Sequence, residues 1–154
     1  MTKEEINVFS KRVAQSSKSE LIVISYEIIL NYIESAKIEL AKENTEKFVF
    51  NVKKAKQFVN DLSSVLDFTQ KISFELMNIY MFIDRCLIKS MVKKMDCELS
   101  TVESIIGKLK VAFEEVSKSD DSGAMMKNGE HIYAGLTYGR GVLNEVAIRG
   151  NTYA

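Results

Sequence analysis

Between residues 46 and 66 the apolar positions Phe48, Val52, Ala55, Val59, Leu62 and Leu66 recur at alternating spacings of four and three. That rhythm lays one apolar stripe along a helix and leaves the rest of its circumference polar. Val102, Ile105, Leu109, Ala112 and Val116 repeat it, which predicts a second one-faced helix over about 100–117. Two further stretches are apolar on nearly every side. From Leu21 to Ile33 only Ser25, Glu27 and Asn31 interrupt the apolar run, and from Leu76 to Ile83 only Asn78 does. They belong to predicted helices over about 18–43 and 70–95.

The boundaries follow from local chemistry. Ser17-Lys18-Ser19-Glu20 has the form of a capping box, in which the serine takes the third helical amide and the glutamate reaches back to the cap. Thr45 is the candidate cap of the 46–66 helix, and residues 67–69 are a short break. Asp96 or Ser100 is the candidate cap of the last helix, with Ser100-Thr101-Val102-Glu103 as a second capping box. Connections this short force neighbouring helices to run antiparallel. The expected fold is all-α, an antiparallel up-down four-helix bundle. The first dozen residues form a short N-terminal segment, an extra helix weakly anchored by Ile6, Val8, Phe9 and Val13.

Composition sharpens this picture. The chain has 154 residues and no proline, which suits long uninterrupted helices. Of its seven glycines only Gly107 precedes residue 120. The chain therefore divides into a bundle domain, 1–117, and a glycine-rich tail, 118–154. In the tail, 118–128 is expected to be a linker, and Gly139-Arg140-Gly141 is placed to turn a small hairpin between 132–138 and 142–148. The tail is expected to dock on its own bundle or on a neighbour's, over the strongly apolar 18–43 and 70–95 helices. The 21 basic residues balance the 21 acidic ones, which argues against a general nucleic-acid binder. No apolar run approaches the roughly 20 residues of a membrane span. Met1 to Arg12 lacks the apolar stretch of a signal peptide, and Cys86 and Cys97 fit a reducing compartment.

Candidate chemistry is sparse. The one histidine, His131, follows Glu130 in the tail and has no ligand partner at metal-site spacing. Cys86 falls among core positions of its helix and has the character of a small buried hydrophobe. The glycines of 135–141 are not followed by the Lys-Ser/Thr of a phosphate loop. Asp84-Arg85 has the form of a packing-edge ion pair, and Lys53-Lys54-Ala55-Lys56 that of a solvated face. Nothing pairs a nucleophile with its base, so the chain is expected to be no enzyme and to need no cofactor or metal.

The surplus apolar surface is the stronger clue. A bundle helix needs an apolar stripe of little more than about 100°. The 18–43 and 70–95 helices exceed it, and the latter carries Met77, Met81, Met91 and Met95. Methionine-rich surfaces suit adaptable binding of partner helices. Either the N-terminal segment or tail covers this surface, or a partner does, and a weakly held segment that a partner displaces satisfies both. Leu21, Ile24, Ile28, Met77, Tyr80, Met81 and Met91 are expected to border it. Tyr26 and Tyr80 are expected to anchor packing with their hydroxyls at an edge.

Three stretches also resemble the flagellin export chaperones, the FliS family. Family members tend to have Val-x-Thr-Ala-Ser-Pro-x-Glu-Leu, two residues, then Met-Leu-Tyr-Glu-Gly. Here Val13, Ser17, Glu20, Leu21, Tyr26 and Glu27 agree, while Gln15, Lys18 and Ile28 replace the Thr, Pro and Gly. Leu62 to Asp67 is similar to the family's Ser-Leu-Asp stretch. Ile79 to Leu87 is similar to Leu-Tyr-x-Tyr-(Met/Ile)-x-Arg-Arg-Leu, with Phe82 and Cys86 as the departures. Ile6-Asn7-Val8-Phe9 holds the place of the usual Asn-Pro-Tyr start, and 132–139 resembles the C-terminal extension of some clostridial members. The resemblance implies a cytoplasmic helical bundle that binds the C-terminal segment of flagellin, keeps it unpolymerised and supports export. It also implies contact with the export apparatus or a co-chaperone. A bundle that homodimerises through its apolar surface is the alternative.

Overall fold

The computed structural model describes residues 1–121. Those residues form five helices: α1 (Lys3–Gln15), α2 (Lys18–Ala41), α3 (Thr45–Ser64), α4 (Lys71–Lys93) and α5 (Leu99–Ser117). Among the described residues there is no strand. The linker beyond residue 121, the expected hairpin and the docking of the tail lie outside the described residues.

Every helix but α4 starts where a flanking side chain satisfies an orphan amide. The capping box at Ser17 and Glu20 forms as expected. Thr2 and Glu5 form another at the start of α1, which gives the N-terminal segment a complete helix. Two starts differ from expectation. Asn44, not Thr45, caps α3, its side-chain oxygen accepting from the Lys47 amide. At α5, Asp96 accepts from the Leu99 amide at 2.9 Å, and the helix has begun before Ser100. Ser100 and Glu103 instead both receive the Lys37 ammonium from α2, so this sequence box serves packing between helices. The 67–70 break is held by Asp67, whose carboxylate accepts from the Thr69 amide and hydroxyl. Those bonds hold the Asp67 carboxyl below its usual range.

α2 is the hub of the packing. It lies against α3 and α5 and also carries α1, while α4 packs mainly on α3 and only lightly on α5. The α2–α5 contacts run in opposite senses. Asp120 accepts from the Ser19 amide, Phe113 meets the Tyr26 ring edge-on, and Lys37 reaches Glu103. The core joins Ile24, Ile28, Ile29 and Ile33 of α2 to Phe48, Phe58 and Val59 of α3. Ile83 and Leu87 of α4 and Val102 and Ile106 of α5 complete it. α1 contributes only Phe9 and Val13 to that core, with Arg12 lying over the Phe9 ring and pairing with Glu27.

Two charged stretches sit differently from the sequence expectation. Lys54 is buried rather than solvated, and burial pushes its pKa down against the opposing pull of Asp61. Asp84 takes Lys56 of α3 as its partner at 3.2 Å, so the ion pair crosses between helices rather than joining Arg85. Cys86 is a buried core position, as its spacing implies.

Candidate functional site

The site begins with the phase of α4. Its inward positions Leu76, Tyr80, Ile83, Leu87 and Ser90 are buried. On the opposite face Phe74, Met81, Ile88 and Val92 are 57%, 51%, 37% and 71% exposed, and Met95, just past the left-handed Lys94 that ends the helix, is 51% exposed. Met77 and Met91 flank them half-buried. α4 thus presents two apolar faces, one to the core and one to solvent. Exposed apolar strips of this extent are a common mark of interaction surfaces, which makes this face the candidate site.

A cleft adjoins the strip at the first turns of α4. It holds about 250 Å³ and is lined by Leu21, Ile22, Leu62, Leu66, Leu76 and Phe113, with Tyr80 among its walls. That volume falls below the roughly 300–1,000 Å³ of small-molecule sites. It suits one or two apolar side chains projecting from a partner. Val65, Phe68 and Ile72 are exposed around this end, and Phe68 and Phe74 stack at a tilt 5.2 Å apart. The apolar surface therefore runs from the α3–α4 connection along the whole of α4. A second hollow, of about 480 Å³, lies between α2 and α3 beside Met1 and Ile6. It is lined by Glu39, Lys47, Asn51 and Lys54 as well as by Tyr32 and Phe50, and gives no comparable apolar footprint.

The seven residues expected to border a partner surface separate into layers. Met81 is exposed, and Met77 and Met91 are half-buried beside it. Leu21, Ile24, Ile28 and Tyr80 lie in the core, where Leu21 and Tyr80 still reach the cleft wall. Tyr26 and Tyr80 do not send their hydroxyls to an edge. The two oxygens meet 2.5 Å apart in the interior, across the core from α2 to α4. Desolvation raises both phenol pKa values, and at Tyr80 the bond from Tyr26 partly opposes this rise. Phe74, Ile88 and Val92 are the surface residues the sequence reading missed. The signal for them was present: Phe74, Met81, Ile88 and Met95 recur at every seventh position.

Among the described residues, no three histidines, cysteines or acids come together to hold a metal ion, and no helix is long and apolar enough to cross a membrane. The Cys86 thiol is buried and lies 3.6 Å from the Glu98 carboxylate. Burial and that charge raise its pKa, the opposite of nucleophile activation.

A family model described as flagellar protein FliS matches residues 4–120. The chain belongs to the flagellar protein FliS family. The FliS match extends on both sides of the Val13–Leu87 stretch that the sequence motifs mark in the bundle, and takes in α1 from its second residue. The strip on α4 and the cleft beside it both lie inside the matched region. No curated protein matches the chain closely enough to count as a relative.

Proposed function

We propose that this protein is a cytoplasmic flagellar export chaperone that binds the C-terminal region of flagellin, prevents its premature polymerisation and supports its delivery for export. In this reading the four long helices act as an up-down four-helix bundle, and contacts to the export apparatus or a co-chaperone use other faces. The observation that carries the proposal is the exposed apolar strip of α4, within the stretch that matches FliS. Flagellin ends are amphipathic helices that bury their apolar faces in the filament, and a chaperone must cover those faces beforehand. A client helix laid along α4 meets Phe74, Met81, Ile88 and Val92, and one of its large side chains enters the cleft at Leu21 and Tyr80. Ile24 and Ile28 support that wall from beneath. Methionines at Met77, Met81, Met91 and Met95 let the surface repack around more than one client face. Ordering a disordered segment costs part of the interaction energy, so the complex is reversible.

Calorimetry of the full chain with a flagellin C-terminal peptide tests this. The expected result is binding with a negative heat-capacity change, the mark of apolar burial. Met81→Glu is expected to weaken it at least about tenfold while leaving helicity unchanged, because a charge enters a desolvated contact. Absence of binding, or wild-type affinity in the Met81→Glu chain, overturns the proposal.

A further inference from the structure

Burial on α3 is not uniformly apolar. Among its buried residues Asn51 and Lys54 are polar, and Lys54 is the one charged side chain buried among the described residues. The buried serines of the other helices and their caps all bond to backbone groups. Asn51 and Lys54 instead line the hollow between α2 and α3. Helical spacing puts them there. Lys47, Asn51 and Lys54 stand four and three apart on α3, and Tyr32, Ser35 and Glu39 stand three and four apart on α2. Each set shares one face of its helix, and all six residues border the same space. We propose that this hollow is a binding site for a small organic anion, a single carboxylate carried on an apolar body.

Donors dominate the walls. Tyr32, Asn51 and Lys54 are each more than nine-tenths buried. The Tyr32 hydroxyl and the Asn51 side-chain amide have no hydrogen-bond partner among the described residues, and no buried side-chain polar atom there is orphaned. Both groups therefore open onto the hollow. Lys54 adds an ammonium beside them. Burial lowers its pKa, and Asp61, which lies outside the hollow, offsets only part of that effect. An anion in the hollow adds to the offset.

Charge and size narrow the ligand. Glu39 already pairs with Lys42 at 3.3 Å, so Lys47 and Lys54 leave the hollow net positive. Glu39 still stands in the wall and opposes a second negative charge, and the lining holds no arginine fork, so a monoanion fits better than a phosphate. Ile6, Ile38 and Phe50 supply apolar contact for the rest of the molecule, and about 480 Å³ falls within the range of small-molecule sites. Ile6 belongs to α1, so a bound molecule bridges three helices. α1 otherwise joins the core only through Phe9 and Val13. The hollow shares no residue with the cleft beside α4, so this site stands or falls apart from the chaperone reading.

Calorimetric titration of the full chain with phenylpropionate and with octanoate tests this. At least one acid is expected to bind at a single site with a dissociation constant on the order of 100 µM. Phenylpropanol and octanol, which keep the apolar body without the charge, should bind at least about tenfold more weakly, and so should inorganic phosphate. Lys54→Met places an apolar chain of similar length where the buried charge was, and should weaken the acid at least about tenfold. Lys47→Glu, at an exposed position, should weaken it about fivefold. Hydrogen exchange locates the ligand, since the α1 amides should exchange more slowly in the complex. If Lys54→Met loses helicity, Lys47→Glu and the alcohols decide. No saturable binding of either acid overturns the proposal. Equal binding of the alcohols, wild-type affinity in the folded lysine variants, or unchanged exchange in α1 also overturns it.

Discussion

Removing the hydroxyl of Tyr80 should cost more than removing that of Tyr26, and removing both should cost less than either sum implies. The two oxygens are each other's partner at 2.5 Å inside the core. Among the described residues every buried side-chain polar atom has a partner, so a single Tyr→Phe change creates an orphan where none exists. A buried hydroxyl left unsatisfied costs about 1–3 kcal/mol, while removing both members of a pair is close to neutral. The surroundings rank the two single changes. Tyr80 borders the cleft, so after Tyr26→Phe its hydroxyl lies where water can enter, and the cost stays near 1 kcal/mol. Tyr26 is fully buried and does not reach the cleft, so Tyr80→Phe seals its hydroxyl away, at about 2–3 kcal/mol. Urea unfolding of the four proteins in a double-mutant cycle reads these values. With a slope of about 2 kcal/mol per molar, the Tyr80→Phe midpoint should fall by about 1 M. The double variant should recover to within about 1 kcal/mol of wild type. Additive losses show that the hydroxyls are not coupled, and a larger loss at Tyr26→Phe refutes the hydration argument.

Two other outcomes follow from the same burial. Tyr26 and Tyr80 have phenol pKa values raised by desolvation, and that of Tyr32 is pushed up to about 12. The unfolded chain ionises its tyrosines near 10. Stability from these groups is therefore fully present below about pH 10 and is lost above it, by up to about 1.4 kcal/mol per pH unit for each tyrosine. Lys54, held down by burial, acts in the opposite direction as pH approaches its ordinary value, but it is one group against three. Urea midpoints measured between about pH 9 and 11 should fall steeply, and a flat profile refutes the burial argument. Cys86 and Cys97 are both buried, and the Cys86 thiol is raised by burial and by Glu98. Alkylation of the native chain should be slow at both, and Glu98→Gln should speed it at Cys86 alone; prompt labelling of the wild-type chain is the contrary result.

The sequence pattern placed the helices within two or three residues of their ends, because each boundary carried a cap or a break in apolar spacing. It misjudged which side chains serve those ends. Ser100 and Glu103 have the right spacing for a cap, but they bind Lys37 from α2, a contact no local pattern encodes. Lys54 sits in a run of lysines, and only the fold of α3 against α2 shows that one of them is enclosed.

The proposed partner surface was half legible for a related reason. Excess apolarity on the two uniform helices had one sequence signature but two structural causes. α2 is apolar on all sides because it is central, with α3, α5 and α1 packed around it, so Ile24 and Ile28 are used up inside the fold and Leu21 reaches only the cleft wall. α4 is apolar on two sides because it lies at the edge, with a core face and a solvent face. A helix apolar all round carries no phase from which to tell centre from edge. α4 did carry a second clue, the seven-residue recurrence of Phe74, Met81 and Ile88. Its inward residues Leu76, Ile83 and Ser90 keep the same period half a turn away. Two interleaved heptads of unlike exposure are what a helix needs to bind its own core and a partner at once. The outer heptad is therefore the part of α4 that the packing of the core leaves free, and the proposed client contact rests on it.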